Sequence, residues 1–267
     1  MSGRRRRPRR PRRRGRCAVP PLRRTGRRRT LAYGGTVPNQ RVRRLMQRVG
    51  QGDDQVLQLC VLAVDSLAVS GAGLSVSSGP GHHRKLAATD EVSDRVEDLQ
   101  AMLGQGPCVD ALATGAPVLA DDLDDAAYQQ RWPMFTPAAS ACGVRASFSV
   151  PLVVGELRLG AMDLYRSAAG PLHPPQVDQA RDFAAAAVNL LLDQQRSELD
   201  PLAPATPGGL GSSIVDQATG MVMVQLDTDP DSAYAALRAR AYQEGRSLQD
   251  VSRDILERRL RLADEEL

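Results

Sequence analysis

Apolar side chains recur at helical spacing through Val56, Leu59, Cys60, Ala63 and Leu67, which predicts an amphipathic helix over 54–69. Residues 71–77 then alternate as a strand does, and Val92, Val96, Leu99 and Leu103 restore the helical period. Gly106-Pro107 predicts a short helix that Gly115 closes; proline suits the first helical position because its missing N–H has no helical partner there. A short strand is expected over 117–120, an acidic loop over 121–132, and a further short helix from Thr136-Pro137 to Gly143. Two strand-like runs, 144–154 and 157–165, flank Gly155-Glu156 and predict a hairpin. A long helix follows from Pro174 to about Ser197, with Val177, Ala180, Ala184, Ala187 and Leu191 along one stripe.

The pattern breaks at 200–211, where three prolines and three glycines in twelve residues predict a linker. Three short helices are expected beyond it. Ser213 with Asp216 caps the first, whose inner face is Ile214, Ala218, Met221 and Val222. Asp229 and Pro230 start the second, striped by Ala233, Leu237 and Ala241 with Tyr234 beside them, and Gly245 stops it. Ser247 with Asp250 caps the third, which buries Leu248, Val251, Ile255 and Leu260. The predicted fold class is α+β, an antiparallel sheet flanked by helices, followed by an all-α three-helix bundle. The expected organisation is a tail over 1–45, a first domain over 50–198, a linker over 199–211 and a second domain over 212–264.

Charge divides the chain differently. Of its 35 basic side chains, 18 are arginines before Leu45, with no acid among them; the remaining residues carry 17 basic against 31 acidic groups, a net −14. The overall +4 therefore describes a tail, and a uniformly basic nucleic-acid binder is excluded. Residues 1–30 hold 15 arginines and almost nothing apolar, so the tail is expected to be disordered. It reads either as a basic arm for phosphates or as the product of a mis-assigned start, with Met46 the natural one. The longest uncharged apolar run, 183–192, is ten residues, about half of what a membrane helix needs. The four cysteines are scattered, which argues against a disulfide framework or a Cys-x-x-Cys site. A reduced, cytoplasmic protein is expected.

Candidate chemistry is thin. Phosphate-binding, dinucleotide, zinc-protease and serine-elbow motifs are all missing from the sequence, which predicts a non-enzyme. Cys108 and Cys142 could act as redox or haem-linked sensors, but small buried core residues are the stronger reading. His82 and His83 read as a solvated loop, because two adjacent histidines without a third ligand rarely hold a metal. Trp132 is expected to anchor the acidic loop, and Asp121, Asp122, Asp124 and Asp125 to be solvated or to cap helices.

Two resemblances add to this reading. Leu103-Gly104-Gln105-Gly106-Pro107-Cys108-Val109-Asp110-Ala111-Leu112 resembles the signature segment of actinobacterial GAF domains. So do Asp122-Leu123, Arg131-Trp132-Pro133, Phe135, Gly143-Val144-Arg145-Ala146, Pro151-Leu152 and the run Leu159-Gly160-Ala161 to Leu164-Tyr165. That likeness implies a sensor domain but no cofactor, since GAF domains hold cyclic nucleotides, tetrapyrroles, haem, or nothing known. Ile214 to Met223, Asp231, Ala233-Tyr234, Leu237-Arg238, Ala241, Ser247-Leu248 and Asp250-Val251-Ser252 resemble an ANTAR domain. The order of the two implies a signal-responsive antiterminator. Its bundle would bind paired hairpins in nascent leader RNA, and its GAF domain would sense a small molecule or a partner.

The implied RNA contacts are Gln217, Ala218, Thr219, Gly220, Arg238 and Arg246. The family pattern usually has a basic residue where Thr219 stands. Residues 212–267 hold seven arginines against eleven acids, so RNA binding requires arginines segregated from carboxylates. A homodimer is expected, with the helix over 174–197 as its seam. The alternative is a signalling or dimerisation module whose C-terminal helices bind a protein partner. A DNA-binding regulator fits less well, because a third helix of mixed charge reads the major groove poorly.

Overall fold

Side-chain alternation along three strands decides how the layers stack. The computed structural model describes residues 40–47, 54–79, 82–198 and 213–262, which belong to one compact unit. The arginine-rich segment before Gln40 and the expected linker lie outside the described residues. After α1 (Gln40–Met46) and α2 (Gln55–Leu67), strand β1 (Gly71–Gly79) turns Ala72, Leu74 and Val76 toward one face. Gly71, Gly73 and Ser75 fall on the other. β2 (His82–Ala88) pairs antiparallel with β1, and α3 (Glu91–Leu103), α4 (Pro107–Thr114), β3 (Val118–Ala120), α5 (Ala126–Arg131) and α6 (Phe135–Ala141) follow. The hairpin of β4 (Ala146–Val154) and β5 (Leu157–Arg166) completes an antiparallel sheet of order β2-β1-β5-β4-β3.

On one face, α2 and α7 (Pro174–Glu198) cover an apolar core of Leu74, Phe148, Val150, Met162 and Leu164 with Leu59, Phe183 and Leu191. The opposite face holds small and polar residues, including Gly73, Ser75, Ser149 and Asp163, and receives α3 and α4. A smaller apolar cluster beneath α5 and α6 contains Trp132 and Phe135. Trp132 is buried as expected, and its indole N–H donates to Asp110 Oδ2 at 3.0 Å.

Three expectations need correction. Residues 82–88 form a strand rather than a solvated loop; its pairing with β1 shifts register twice, so no alternation marks it in the sequence. The acidic loop contains α5, because the Asp125 carboxylate accepts from the Ala127 amide at 2.8 Å and starts a helical turn. Order also reaches into the expected tail: Val42 of α1 is buried in the core. The long helix runs as expected, but Ala184 to Val188 are all buried within this chain, so little of the proposed dimer seam is exposed.

Asp90 fixes the start of α3. Its Oδ1 accepts from the Val92 and Ser93 amides and from the Tyr165 hydroxyl, each at 2.9 Å. Its Oδ2 accepts from the Thr89 and Ser93 hydroxyls. Burial raises its pKa, but these donors outweigh it and hold the carboxyl below its ordinary range. Replacing Asp90 by Ala removes a helix cap and orphans Tyr165, an expected loss of about 2 kcal/mol in urea unfolding followed by Trp132 fluorescence. A loss under about 0.5 kcal/mol would show the cap to be dispensable.

The C-terminal helices α8 (Ile214–Leu226), α9 (Pro230–Glu244) and α10 (Leu248–Leu256) form their own core around Val222, Leu237, Val251 and Ile255. Their caps are those the sequence predicts: the Ser213–Asp216 capping box, Asp229, and Ser247 accepting from the Asp250 amide. The inner face of α8 is rotated slightly from expectation. Val215, Ala218, Thr219 and Val222 are buried, with Ile214 and Met221 at its edges.

Candidate functional site

Two places concentrate polar groups that packing alone does not explain. The first lies between α3, α4 and the polar sheet face. Glu97 and Gln100 project from α3, Cys108 from α4, and Ser75, Ser149 and Asp163 from the sheet, all buried. Gly73 leaves room for this, since a Cβ there would strike the Glu97 carboxylate. Gln100 Oε1 accepts from the Cys108 amide at 2.8 Å, and Ser75 Oγ lies 3.4 Å from Cys108 Sγ. Glu97 Oε2, Gln100 Nε2, Ser149 Oγ and both Asp163 oxygens close no well-aligned hydrogen bond.

Burial raises Asp163 to about 6, the nearby Ser149, Glu97 and Cys108 groups offsetting only part of it. Glu97 is raised well above its ordinary value, first by burial and then by the Asp163 charge. The two carboxyls therefore hold one proton between them near neutral pH. Cys108 is likewise raised by burial, and Cys60 is pushed up to about 12, so neither presents a thiolate for redox chemistry. Cys142 is half-buried beside the Trp132 cluster. Among the described residues no group of three or more His, Cys, Asp or Glu is placed to hold a metal, and no helix is long and apolar enough to cross a membrane.

The second place is the helical bundle, where the six RNA-contact candidates separate. Gln217 and Gly220 face solvent on α8, with the highly exposed Val224 one turn further on. Ala218 and Thr219, by contrast, point into the bundle, and the Thr219 hydroxyl donates to the Val215 carbonyl at 2.7 Å. Their expected role as direct contacts is corrected to packing behind that face, because helical periodicity turns them inward. Arg246 bridges Glu244 at 3.0 Å and Asp254 at 2.6 Å. Arg240 pairs with Glu244, Arg253 with Asp250, and Arg259 with Asp254 and Glu257. The arginines are thus interleaved with carboxylates, not segregated from them. The more exposed of these pairs, such as Arg253 with Asp250, are worth about 0–1 kcal/mol each.

Arg238 has a different partner. Its Nε donates to the Met102 carbonyl at 2.8 Å, at the last turn of α3. The Tyr234 ring stacks on the His82 imidazole with centroids 3.9 Å apart, and His82 Nε2 lies 3.3 Å from Asp231. α9 therefore rests on β2 and the end of α3. No spacing along the chain signals this contact: the two histidines read as a solvated loop, and Arg238 as an implied RNA contact. His83, next in the strand, is buried and pushed down to about 4 by burial, with Arg238 and His82 adding to the effect.

Comparison with known families agrees with this architecture. Residues 51–192 match the GAF domain family and residues 211–256 match the ANTAR domain. The chain belongs to the GAF domain family, and its C-terminal bundle is an ANTAR domain. No curated protein matches the chain. Among solved structures it is similar to the GAF domain of a phosphoenolpyruvate-protein phosphotransferase from Acinetobacter, at 9% identity over 59% of this chain and 94% of that one, TM-score 0.45. It is also similar to a type II free methionine-R-sulfoxide reductase from Thermoplasma acidophilum, at 16% identity over 55% and 94%, TM-score 0.40. A third is the second GAF domain of DevS from Mycobacterium smegmatis, at 15% over 52% and 94%, TM-score 0.37. GAF and ANTAR are both regulatory domains, and together they make a sensor-coupled regulator.

Proposed function

We propose that this chain is a cytoplasmic, actinobacterial antitermination regulator. Its ANTAR bundle binds paired hairpins in nascent leader RNA as a homodimer, under control of a small molecule or partner at the GAF domain. One observation supports it most directly. Gly220 lies in the interior of α8, exposed, and a Cβ added there would meet nothing within 4 Å. A mid-helix glycine costs about 1 kcal/mol relative to alanine. No packing among the described residues requires it, which favours close approach by another molecule as the reason for it. Gln217 beside it carries an amide suited to base edges and phosphates, and Arg246 reaches a phosphate by exchanging its pairs with Glu244 and Asp254.

The test is Gly220→Ala, compared with the parent in binding a two-hairpin RNA and a scrambled RNA of equal length. The full chain and a variant lacking residues 1–32 are both measured, since the tail would bind any polyanion. The parent is expected to prefer the hairpins about tenfold. The variant should melt slightly higher yet bind the hairpins about tenfold more weakly. Equal affinity for both RNAs would reject the reading. The paired arginines favour one alternative, a protein partner at the same face, and binding that is insensitive to salt would identify it.

A further inference from the structure

We infer that the GAF domain latches the ANTAR bundle in an RNA-refusing position, by seating α9 against β2 and the C-terminal end of α3. This inference rests on the proposed RNA-binding reading and concerns its regulation. The seat is built from both sides. On the bundle, Asp231, Tyr234 and Arg238 lie one turn apart along α9. On the GAF domain, His82 offers a ring for Tyr234 and a nitrogen for Asp231, and the free carbonyl of Met102 receives Arg238. A cation at the carbonyl end of a helix is favourably placed, because the last carbonyls have no partner in the helix. Met102 itself packs against the bundle's core.

Gly104 makes the close approach possible. It ends α3 with φ +62°, and a Cβ there would overlap the Arg238 guanidinium. Arg238 is one of the groups assigned to RNA, and in this arrangement it is held by a carbonyl of the sensor. The Asp216 carboxylate at the start of α8 also lies within electrostatic range of His82, so the latch reaches to within a residue of Gln217. An RNA duplex and the GAF domain cannot both use Arg238, so each lowers the other's affinity for the bundle.

The latch is joined to the buried polar cluster by one rigid element. α3 carries Glu97 and Gln100 in that cluster and Met102 at the seat, little more than one turn apart. Lys85 ties β2 to the same helix through Asp94 and Asp98. A shift of α3 that repacks the cluster therefore also moves the seat under Arg238.

The experiment opens the latch from the GAF side, leaving every proposed RNA residue in place. His82→Glu replaces the stacked ring with a carboxylate facing Asp231. Gly104→Ala displaces the Arg238 guanidinium. Trp132 fluorescence confirms that each variant retains its GAF fold. Hydrogen exchange over 230–244 reads whether α9 has left its seat, and titration with the two-hairpin RNA reads affinity. We expect both variants to raise α9 exchange and to bind RNA about tenfold more tightly than the parent. Raised exchange with unchanged RNA affinity would overturn the latch while leaving RNA binding standing. Unchanged exchange in both variants would show that α9 is not seated in solution, which also overturns it. Raised exchange with no RNA bound by any form would reject the RNA reading, and the latch with it, while showing that the seat itself exists.

Discussion

Replacing Asp163 by Asn stabilises the GAF domain by about 3 kcal/mol at pH 7.5 and leaves it nearly unchanged at pH 4. The figure follows from the rise of Asp163 from 3.8 to about 6, at about 1.4 kcal/mol per pKa unit. The direction follows from linkage. A carboxyl whose folded pKa exceeds its unfolded one holds its proton more tightly in the native state. Its stabilising effect is complete below the unfolded value and is lost as pH rises through about 6. Above that, the native protein bears a charge buried beside Glu97, and Asn removes it while keeping an amide that can pair with the glutamate and Ser149. His83 acts oppositely in the same window, losing stability as pH falls from 6.5 toward about 4. Parent and variant must therefore be compared at equal pH. Urea midpoints from Trp132 fluorescence provide the comparison, and a gap that does not change with pH would disprove the shared-proton description.

The second large effect is a loss. Gly160→Ala is expected to destabilise the GAF domain by about 3 kcal/mol, near the upper end for overpacking. Gly160 pairs with Val76 on one side and Leu152 on the other, in the central strand β5. Its neighbour Leu159 is skipped where the register shifts opposite Leu152 and Val153. The local bend aims the missing Cβ into the Ser75 carbonyl. That obstacle is backbone in the middle of a sheet, so the sheet itself must move to relieve it. Gly143→Ala is the control: φ is +85° there but nothing lies within 4 Å of the added carbon, so only the modest backbone strain remains. If the two variants lose equal stability, strand crowding is not what holds Gly160 in place.

Local signals made most of the fold legible. The period along α2, α3 and α7, the β4–β5 hairpin and the capping residues of α8, α9 and α10 each predicted the element found. β2 escaped because its pairing leaves no alternation, and α5 because a six-residue helix has no room for a period. The site was harder. Ala218 and Thr219 sit within a motif of family resemblance, but such a motif mixes packing residues with contacts, and only the helix phase separates them. The polar cluster is assembled from residues far apart in sequence: Ser75, Glu97, Cys108, Ser149 and Asp163 each look ordinary alone. The seat of α9 on His82 joins residues some 150 positions apart, a relation no spacing can express.

The two faces of the sheet imply opposite rules for mutation. On the α2–α7 side, positions such as Phe148 and Leu164 fail by becoming smaller, since each lost methylene leaves a void in a filled core. On the α3–α4 side, Gly71 and Gly73 fail by becoming larger, since added atoms displace Asp90 or Glu97. In a saturation library along β1, Leu74 should therefore reject smaller side chains while its neighbour Gly73 rejects every larger one.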